Sequence, residues 1–455
     1  MSIAIFDVGK SNVKLLLLDD DNRTLATRTR PNTVLTGPPY PHFDEPGLET
    51  WLSESLAGLP GREAIEAIVT TTHGSAAALL AGDALALPVL EYEYAGPDEE
   101  AESYAAAADP FARSYTPALP LGLVIGRQLW WLMHRFPEAF GRVTTILQWP
   151  QFWAWWLSGV AATEVTPLGS HSGLWLPEQR RFSDLAQRTG WAALFPPIRN
   201  AWDTLGVLRP EIARATGLDP ACRVVCGVHD SNASFLAHRA TRQPPFTVIS
   251  TGTWTIVMAA GAPIARLDAA RDMLANVDVF REPVPTARFM GGREFATVAG
   301  EAAATRPTLA DAARVVARGS MALPAFVPEG GPFAGRVGGL LGPAVESPAE
   351  RSAMASLYLA LVVDVMLDLL GALPPFIAEG PSAGDGVFLA ALAGFRHPGA
   401  VVASQDGTGT SAGAAILATW GRRAPRAASA RTVPPPGEAL PGLSGYRQKW
   451  REALG

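Results

Sequence analysis

Two short segments of this chain repeat one pattern about a domain's length apart, and few folds can accommodate the repetition. The first is Ile5-Phe6-Asp7-Val8-Gly9-Lys10-Ser11-Asn12-Val13-Lys14. The second is Val248-Ile249-Ser250-Thr251-Gly252-Thr253-Trp254-Thr255-Ile256-Val257. Aligned on Gly9 and Gly252, each reads as apolar strand, small polar turn with a glycine, then strand again. The pattern predicts a tight hairpin at the start of each of two domains. Such a turn presents consecutive backbone N–H groups, and glycine lets an anion approach them closely. Ser11, Asn12 and Thr253 add side-chain donors, while Lys10 and Lys14 add positive charge. Asp7 is the odd member, because a carboxylate beside an anion site repels the ligand unless a cation intervenes. Mg²⁺ held through water by one or two carboxylates removes the conflict. An ordinary turn would explain one such hairpin. Two copies, each leading a domain, point to a pair of phosphate-holding loops.

At 455 residues, with 48% hydrophobic and 18% charged residues, the chain is too long for one ordinary core and apolar enough to fill two. The formal net charge of −6 comes with no basic run, which predicts no nucleic-acid partner and no attraction to an anionic membrane. Cys222 and Cys226 are too few for a disulfide framework, and two cysteines in a Cys-x-x-x-Cys spacing make a poor zinc site, so they are expected to be buried thiols in a reducing cytosol. The N-terminus runs straight into a strand without a basic leader, and a cytoplasmic location is expected. The most apolar long stretch, 357–377, carries Asp364 and Asp368 and ends at Pro374-Pro375, which reads as a core helix and not a membrane span.

Along the chain, 3–7 and 13–18 form the first hairpin, and 65–70 reads as a strand ending in the polar turn Thr71-Thr72-His73-Gly74. The stretch 121–136 has apolar residues at helical spacing. A second helix, 150–157, carries a cluster at Trp149, Trp153, Trp155 and Trp156, which suits core packing or an aromatic face for a ligand. Helices are also expected at 185–189 and 210–216, each followed by a glycine suited to end it. The polar, proline-containing stretch 239–245 marks a boundary, giving domains 1–242 and 243–455. Beyond it the pattern predicts irregular surface at 328–343, a long helix at 348–370 and a strand at 375–378. A helix at 387–395, a strand and helix within 401–420, and a surface connection at 421–438 complete the chain.

Between the two hairpins, 223–228 reads as a buried strand and Ser231-Asn232 as a helix start. Asp230 therefore falls at the carboxyl end of a strand and the amino end of a helix, where open α/β sheets bind ligands. The helix dipole favours its ionised form. There it can accept a proton from, and orient, a hydroxyl attacking a phosphoryl group, or it can serve only as a cap. His229 is placed to contact a substrate or to sit as a turn histidine.

These residues together resemble the FGGY carbohydrate kinase family, within the sugar kinase, Hsp70 and actin superfamily, over nearly the whole chain. Asp7-Val8-Gly9-Lys10-Ser11-Asn12-Val13-Lys14 resembles the family's first phosphate motif and Ile249-Ser250-Thr251-Gly252-Thr253-Trp254 its second. Gly227-Val228-His229-Asp230 resembles the motif that ends in the catalytic aspartate. Ala378-Glu379-Gly380-Pro381 and 409–415, beginning Gly409-Thr410, resemble the adenosine-binding region. The resemblance implies two α/β domains with ribonuclease H-like cores flanking a deep cleft. It further implies ATP and Mg²⁺ as cofactors, Asp230 as base, and Thr72, His73, Gly74 and His229 facing a small-molecule sugar. Histidine–aspartate followed by a small hydroxyl residue is similar to the rhamnulokinase and fuculokinase branches, which implies a 6-deoxyketose such as L-rhamnulose or L-fuculose. The chain departs from the family at Lys10, where many members carry threonine, at Asp385, where asparagine is usual, and at Tyr92-Glu93-Tyr94 in the sugar region.

The leading expectation is an ATP-dependent phosphotransferase with an alcohol acceptor. A catalytically silent sugar or nucleotide sensor on the same fold is the alternative, and an intact Asp230 argues against it. A kinase of another ketose or a polyol stays open, as does a homodimer. A protein-directed ATPase would call for an interaction domain that the pattern lacks.

Overall fold

The computed structural model describes residues 2–328, 330–405, 409–426 and 429–455. Parts of the expected elements at 328–343, 401–420 and 421–438 fall on positions outside these residues. The chain divides into two compact units. Unit 1 is Met1–Thr241, Ala275–Pro283 and Thr408–Arg426, and unit 2 is Arg242–Leu274, Val284–Gly407 and Ala427–Gly455. The partition therefore departs from a single break after residue 242, because two later excursions return to unit 1. Packing explains the second. The helix Gly409–Thr419 lies so tightly on the helix Asp230–Arg239 that a Cβ at Gly413 would come within 1.8 Å of the Ala233 carbonyl oxygen.

Unit 1 is built on a twisted sheet. Strands β1 (Ser2–Val8), β2 (Asn12–Leu18) and β3 (Thr24–Pro31) form an antiparallel meander. Strand β4 (Ile65–Thr72) pairs with β1 in parallel, placing Asp7 opposite Thr71 and Val8 opposite Thr72. On the other side of β4 come β6 (Arg223–Val225) and β7 (Val228–His229), both parallel to it, and β5 (Thr204–Val207) closes the order β5-β6-β4-β1-β2-β3. Alternating strand residues Ala4, Phe6, Val8, Val13, Leu15 and Leu17 feed one buried cluster together with Trp149 and Trp153. Helix α1 (Ile125–Arg135) starts later than the apolar spacing predicts, because Leu121 adopts φ 60°. In helix α2 (Trp149–Ser158), Trp149 and Trp153 are fully buried and pack edge to face at 5.1 Å. These two tryptophans are core residues.

The strand expected at 223–228 is broken. Gly227 adopts φ 86°, and a Cβ there would stand 2.2 Å from Thr70 Oγ1. The chain pinches against β4 at this point and resumes as β7. Cys222 and Cys226 consequently flank β6 instead of sharing a strand, and both are buried free thiols. Helix α3 (Asp230–Arg239) starts at Asp230, with His229 as its N-cap.

Unit 2 repeats the arrangement. Strands β8 (Phe246–Thr251), β9 (Thr255–Ala260) and β11 (Pro283–Phe289) are antiparallel, and β12 (Phe376–Glu379) pairs with β8 in parallel. With β10 (Met273–Val277), β13 (Val401–Ser404) and β14 (Ala430–Thr432), the order is β10-β11-β9-β8-β12-β13-β14. Helix α4 (Gly291–Ala299) follows β11, α5 (Pro348–Leu370) forms the core, and α6 (Gly386–Phe395) packs on it. Among the described residues α5 is the one helix long and apolar enough to cross a bilayer, yet 83% of its most apolar window is buried inside the protein. Its Asp364, fully buried, is met by Arg396, Arg447 and Arg451. That arrangement satisfies a buried charge by pairing.

The pinch at Gly227 generates a testable contrast. Gly82 also has positive φ, 63°, but nothing stands near its Cβ position. Gly82→Ala should cost about 1 kcal/mol from backbone strain alone, and Gly227→Ala about 3 kcal/mol from strain plus overpacking. Denaturant unfolding of the two variants measures the difference, and equal losses would mean that Thr70 simply moves aside.

Candidate active site

The carboxyl ends of three adjacent parallel strands converge in unit 1. Strand β1 ends with Asp7-Val8, β4 with Thr71-Thr72 leading to His73, and β7 with His229 leading to Asp230. The pairings Val8 with Thr72 and Thr72 with His229 hold these ends level. The His73 N–H extends the ladder by donating to the Val8 carbonyl at 2.9 Å. A sheet edge of this kind exposes side chains without a further strand to cover them, so chemistry collects there.

Two carboxyl groups occupy the edge. Burial raises Asp7 to about 7, the charge of Asp230 pushes it the same way, and Lys14 opposes both. Asp230 is raised to about 6 by burial, against the stabilising effect of Ser231. Its side chain still keeps 31% of its surface open. Oδ1 accepts from the Ser231 N–H at 2.6 Å, which leaves Oδ2 for another partner. Two buried imidazoles stand beside the carboxyls, and burial lowers both His73 and His229 to about 4. His73 Nδ1–H donates to the Gly74 carbonyl at 2.7 Å. Nε2 is then a lone-pair acceptor, buried and without a protein partner, ready for a hydroxyl. His229 Nε2 lies 3.2 Å from Asp230 Oδ1, and Asn232 Nδ2 donates to its Nδ1 at 3.2 Å. Gly74 lies under His229, where a Cβ would be 3.0 Å from Nε2.

Thr72, His73, Gly74, His229 and Asp230, all expected at a sugar, are thus brought together with Asp7. His171 joins them, its ring 6.3 Å from that of His229. Nothing in the periodicity around Gly169-Ser170-His171 singles it out. The turn after β1 is closed by Gly9 N–H donating to the Asn12 carbonyl at 3.0 Å, and Asn32 Nδ2 bonds the Gly9 carbonyl at 2.9 Å. Ser11 and Asn12 are exposed. Lys10 does not extend from the turn. Its Nζ pairs with buried Glu91, lies 3.4 Å from Glu93 Oε2, and sits 4.6 Å above the Tyr92 ring. Its charge is spent on the 91–93 loop.

Unit 2 holds a cavity of about 580 Å³ built around the second hairpin turn. Thr251, Gly252, Thr253 and Pro381, four of the residues expected at a nucleotide, line it. Gly380 lies beneath, at φ 77°, where a Cβ would be 2.0 Å from the Thr251 carbonyl oxygen. The Thr251 hydroxyl staples this turn by donating to Glu379 O at 2.7 Å and accepting from Ser382 N at 3.0 Å. The opposite wall is the amino end of α4, with Gly292, Arg293, Phe295 and Ala296. Gly292 lets this helix end sit on the hairpin turn, since a Cβ would be 2.3 Å from Gly252 O. The Gly292 N–H donates to the Thr253 carbonyl at 3.2 Å, tying the helix end to the turn, and a helix N-terminus favours anions. The double glycine directly after an apolar run, Met290-Gly291-Gly292, is the sequence signal for this wall. Asp385 also lines the cavity, and its Oδ1 caps α6 by accepting from Val387 and Phe388 N–H at 2.9 and 3.0 Å. Oδ2 accepts from Ser356 at 2.6 Å. The carboxylate is therefore absorbed by the helix end. Gly409 and Thr410 are not part of this cavity. They belong to unit 1, where the Thr410 hydroxyl is 2.9 Å from that of Ser234.

The donor set fits a hydrated divalent cation better than a fully protein-caged one. Asp7 and Asp230 each bear a raised proton affinity that a nearby cation would relieve. No three His, Cys, Asp or Glu side chains among the described residues converge on one point.

Residues 243–427 match the family model for the C-terminal domain of FGGY carbohydrate kinases, and 122–237 match that for the N-terminal domain. A carbohydrate kinase from Novosphingobium aromaticivorans is 38% identical over 99% of this chain and 98% of its own, with a TM-score of 0.90. A xylulose kinase from Rhodospirillum rubrum shares the fold at TM-score 0.81 and 18% identity, over 100% of this chain and 98% of its own. An L-fuculokinase from Haemophilus influenzae is 30% identical over 138 residues, a match spanning 29% of this chain and 28% of that protein.

The two lowered imidazoles carry a sign that can be checked. A histidine whose folded pKa lies below its unfolded value destabilises the fold as pH falls from about 6.5 towards 4, because the unfolded chain then binds the proton more readily. His73 and His229 should show neutral-imidazole ¹⁵N shifts from pH 8 down to about 5. Protonation of either near pH 6.5 would contradict their buried, neutral setting.

Proposed function

The chain belongs to the FGGY family of carbohydrate kinases, and from that membership we propose that it transfers the γ-phosphoryl group of ATP to a primary hydroxyl of a ketose, with Asp230 as the base. The observation that carries this reading is the position and ionisation of Asp230. Its free Oδ2 accepts the proton of the attacking hydroxyl, and a pKa of about 6 leaves the group ionised at neutral pH. Because the phosphoryl-transfer transition state is loose, much of its value lies in aiming the hydroxyl. His73 Nε2, an acceptor without a protein partner, receives a second sugar hydroxyl. Thr72, Gly74 and His229 form the rest of that wall. Gly252, Thr253, Gly380 and Pro381 hold the nucleotide, and Gly9, whose own N–H closes the turn, lets phosphoryl oxygens approach Ser11 and Asn12, which donate to them. Mg²⁺, held through water by Asp7, supplies charge neutralisation at the phosphate oxygens.

The acceptor region favours an uncharged substrate. Asp7, Asp230, Glu91 and Glu93 outnumber Lys10, which is already paired with Glu91 and Glu93, and Lys14, which acts on Asp7, and both imidazoles are neutral. A sugar acid would meet net negative charge. Among neutral ketoses, a 6-deoxyketose such as L-rhamnulose or L-fuculose is supported by His229-Asp230-Ser231 and by the partial likeness to an L-fuculokinase. Such a substrate would be met in the cytoplasm, where ATP is available.

The test is ADP release with Mg·ATP against L-rhamnulose, L-fuculose, L-ribulose, xylulose and erythrulose. Asp230→Asn should lower kcat by about 10²–10⁴-fold while ATP binding is retained. A loss under about threefold would remove Asp230 from the role of base. Because the base acts ionised, kcat/KM should fall as pH drops through about 6, with the slope of one proton. Asp7→Asn should raise the Mg²⁺ concentration for half-maximal rate about tenfold, and an unchanged titration would put the ion elsewhere.

A further inference from the structure

Just before the residues that carry Asp230 the chain leaves the sheet ladder, and its backbone groups are held by other means until Val228 and His229 pair with Thr71 and Thr72. Between β6 and β7 the Cys226 N–H donates to Asp203 O at 2.9 Å and the Gly227 N–H to Ala201 O at 3.2 Å. Gln151 Nε2, from α2, lies 3.1 Å from Cys226 O and 3.3 Å from Gly227 O. The His229 N–H donates to the Thr166 hydroxyl at 3.1 Å. That hydroxyl in turn donates to Glu164 Oε2, while the Thr166 N–H donates to the same oxygen at 2.9 Å. Glu164 is itself clamped through its backbone by Gln148, which donates to Glu164 O at 3.1 Å and accepts from Glu164 N at 3.3 Å.

Glu164, Thr166, Gln148 and Gln151 are all buried to within 1% of full burial. A buried carboxyl group, pushed up to about 7 by burial and with one oxygen, Oε1, left without a partner, is expensive for a fold to keep. Capping the short helix Val165–Leu168 does not require it, since Ser or Asn performs that task without a buried charge. What the carboxylate adds is direction. By accepting the hydrogen bond of the Thr166 hydroxyl it turns the hydroxyl's lone pairs towards the His229 N–H, one residue before Asp230.

We propose that Thr166, oriented by Glu164, is a positioning residue for the Asp230 carboxyl group, acting through the His229 backbone. This rests on the functional reading above, in which Asp230 is the base. A loose hydrogen bond at residue 229 would let the helix start shift, and a shift of about 1 Å in a reacting group costs about 10²-fold. Glu164 and Thr166 are fully buried and act only through His229.

Thr166→Val removes the hydroxyl while keeping the side chain's shape and the N–H that Glu164 caps. Thr166→Ser restores the hydroxyl. On whichever sugar the parent turns over, Thr166→Val should lower kcat about tenfold or more, with the sugar KM changed less than about threefold, and Thr166→Ser should return kcat to within about threefold of the parent. Crystal structures of both variants provide an arm that needs no turnover: the Asp230 carboxyl should be displaced or split in Thr166→Val and in place in Thr166→Ser. A kcat for Thr166→Val within about twofold of the parent, or an unmoved Asp230, overturns the inference. A parent inactive on every ketose would instead overturn the functional reading and leave the crystallographic comparison to decide this one. Should Thr166→Val fail to fold, Glu164→Gln, which keeps a cap acceptor without the charge, is judged by the same two readouts.

Discussion

Parallel pairing of β1, β4 and β7 is the interaction on which the rest of unit 1 depends. Parallel strands run in register with their carboxyl ends together, so whatever follows each strand is delivered to the same edge. The pairings of Asp7 with Thr71, Val8 with Thr72 and Thr72 with His229 bring residues far apart in sequence to one edge. The environment then follows from position. Burial raises the proton affinity of both carboxyl groups at this edge, that of Asp7 further through the charge of Asp230, and burial lowers that of the two imidazoles, His73 packing against Phe43 and Tyr92. A site that keeps its aspartates ready to take a proton and its histidines neutral is suited to hydroxyl activation and not to anion capture.

Unit 2 shows what the same topology does without those charges. Its hairpin and parallel strand repeat β1, β2 and β4, but Ser250 stands where unit 1 has Asp7, and Thr253 where it has Lys10. The turn is covered by a helix N-terminus, and the nearby carboxylate of Asp385 is consumed in capping α6. One architecture has diverged into an acidic edge and a neutral, donor-rich one. That division of labour is what a phosphoryl donor and an alcohol acceptor require.

Much of this was legible in the residue order. The hairpins could be read because a period-two apolar pattern around a glycine turn is a local signal. The core helix at 348–370 could be read because its bounds coincide with a proline at the start and Gly371 at the end. Asp230 could be placed at a strand end and a helix start for the same local reason. The break at Gly227 could not, since it arises from the approach of Thr70, distant in sequence. The partners of Lys10 were hidden for a related reason: a lysine in an anion-binding turn carries no local sign of Glu91 and Tyr92, which the fold sets beside it. His171, Gln151 and Thr166 carry no local signature at all.

The sequence by itself determined the doubling of the hairpin, the core helix at 348–370 and the presence of an aspartate where two elements meet. These are consequences of short-range periodicity and turn chemistry, which act between near neighbours. Tertiary structure alone decided which charges are spent on each other, which imidazoles are neutral, and what holds the turn before Asp230 where the ladder is interrupted. Those outcomes depend on desolvation and on hydrogen bonds between residues far apart in the chain, and such distances exist only once the strands have paired.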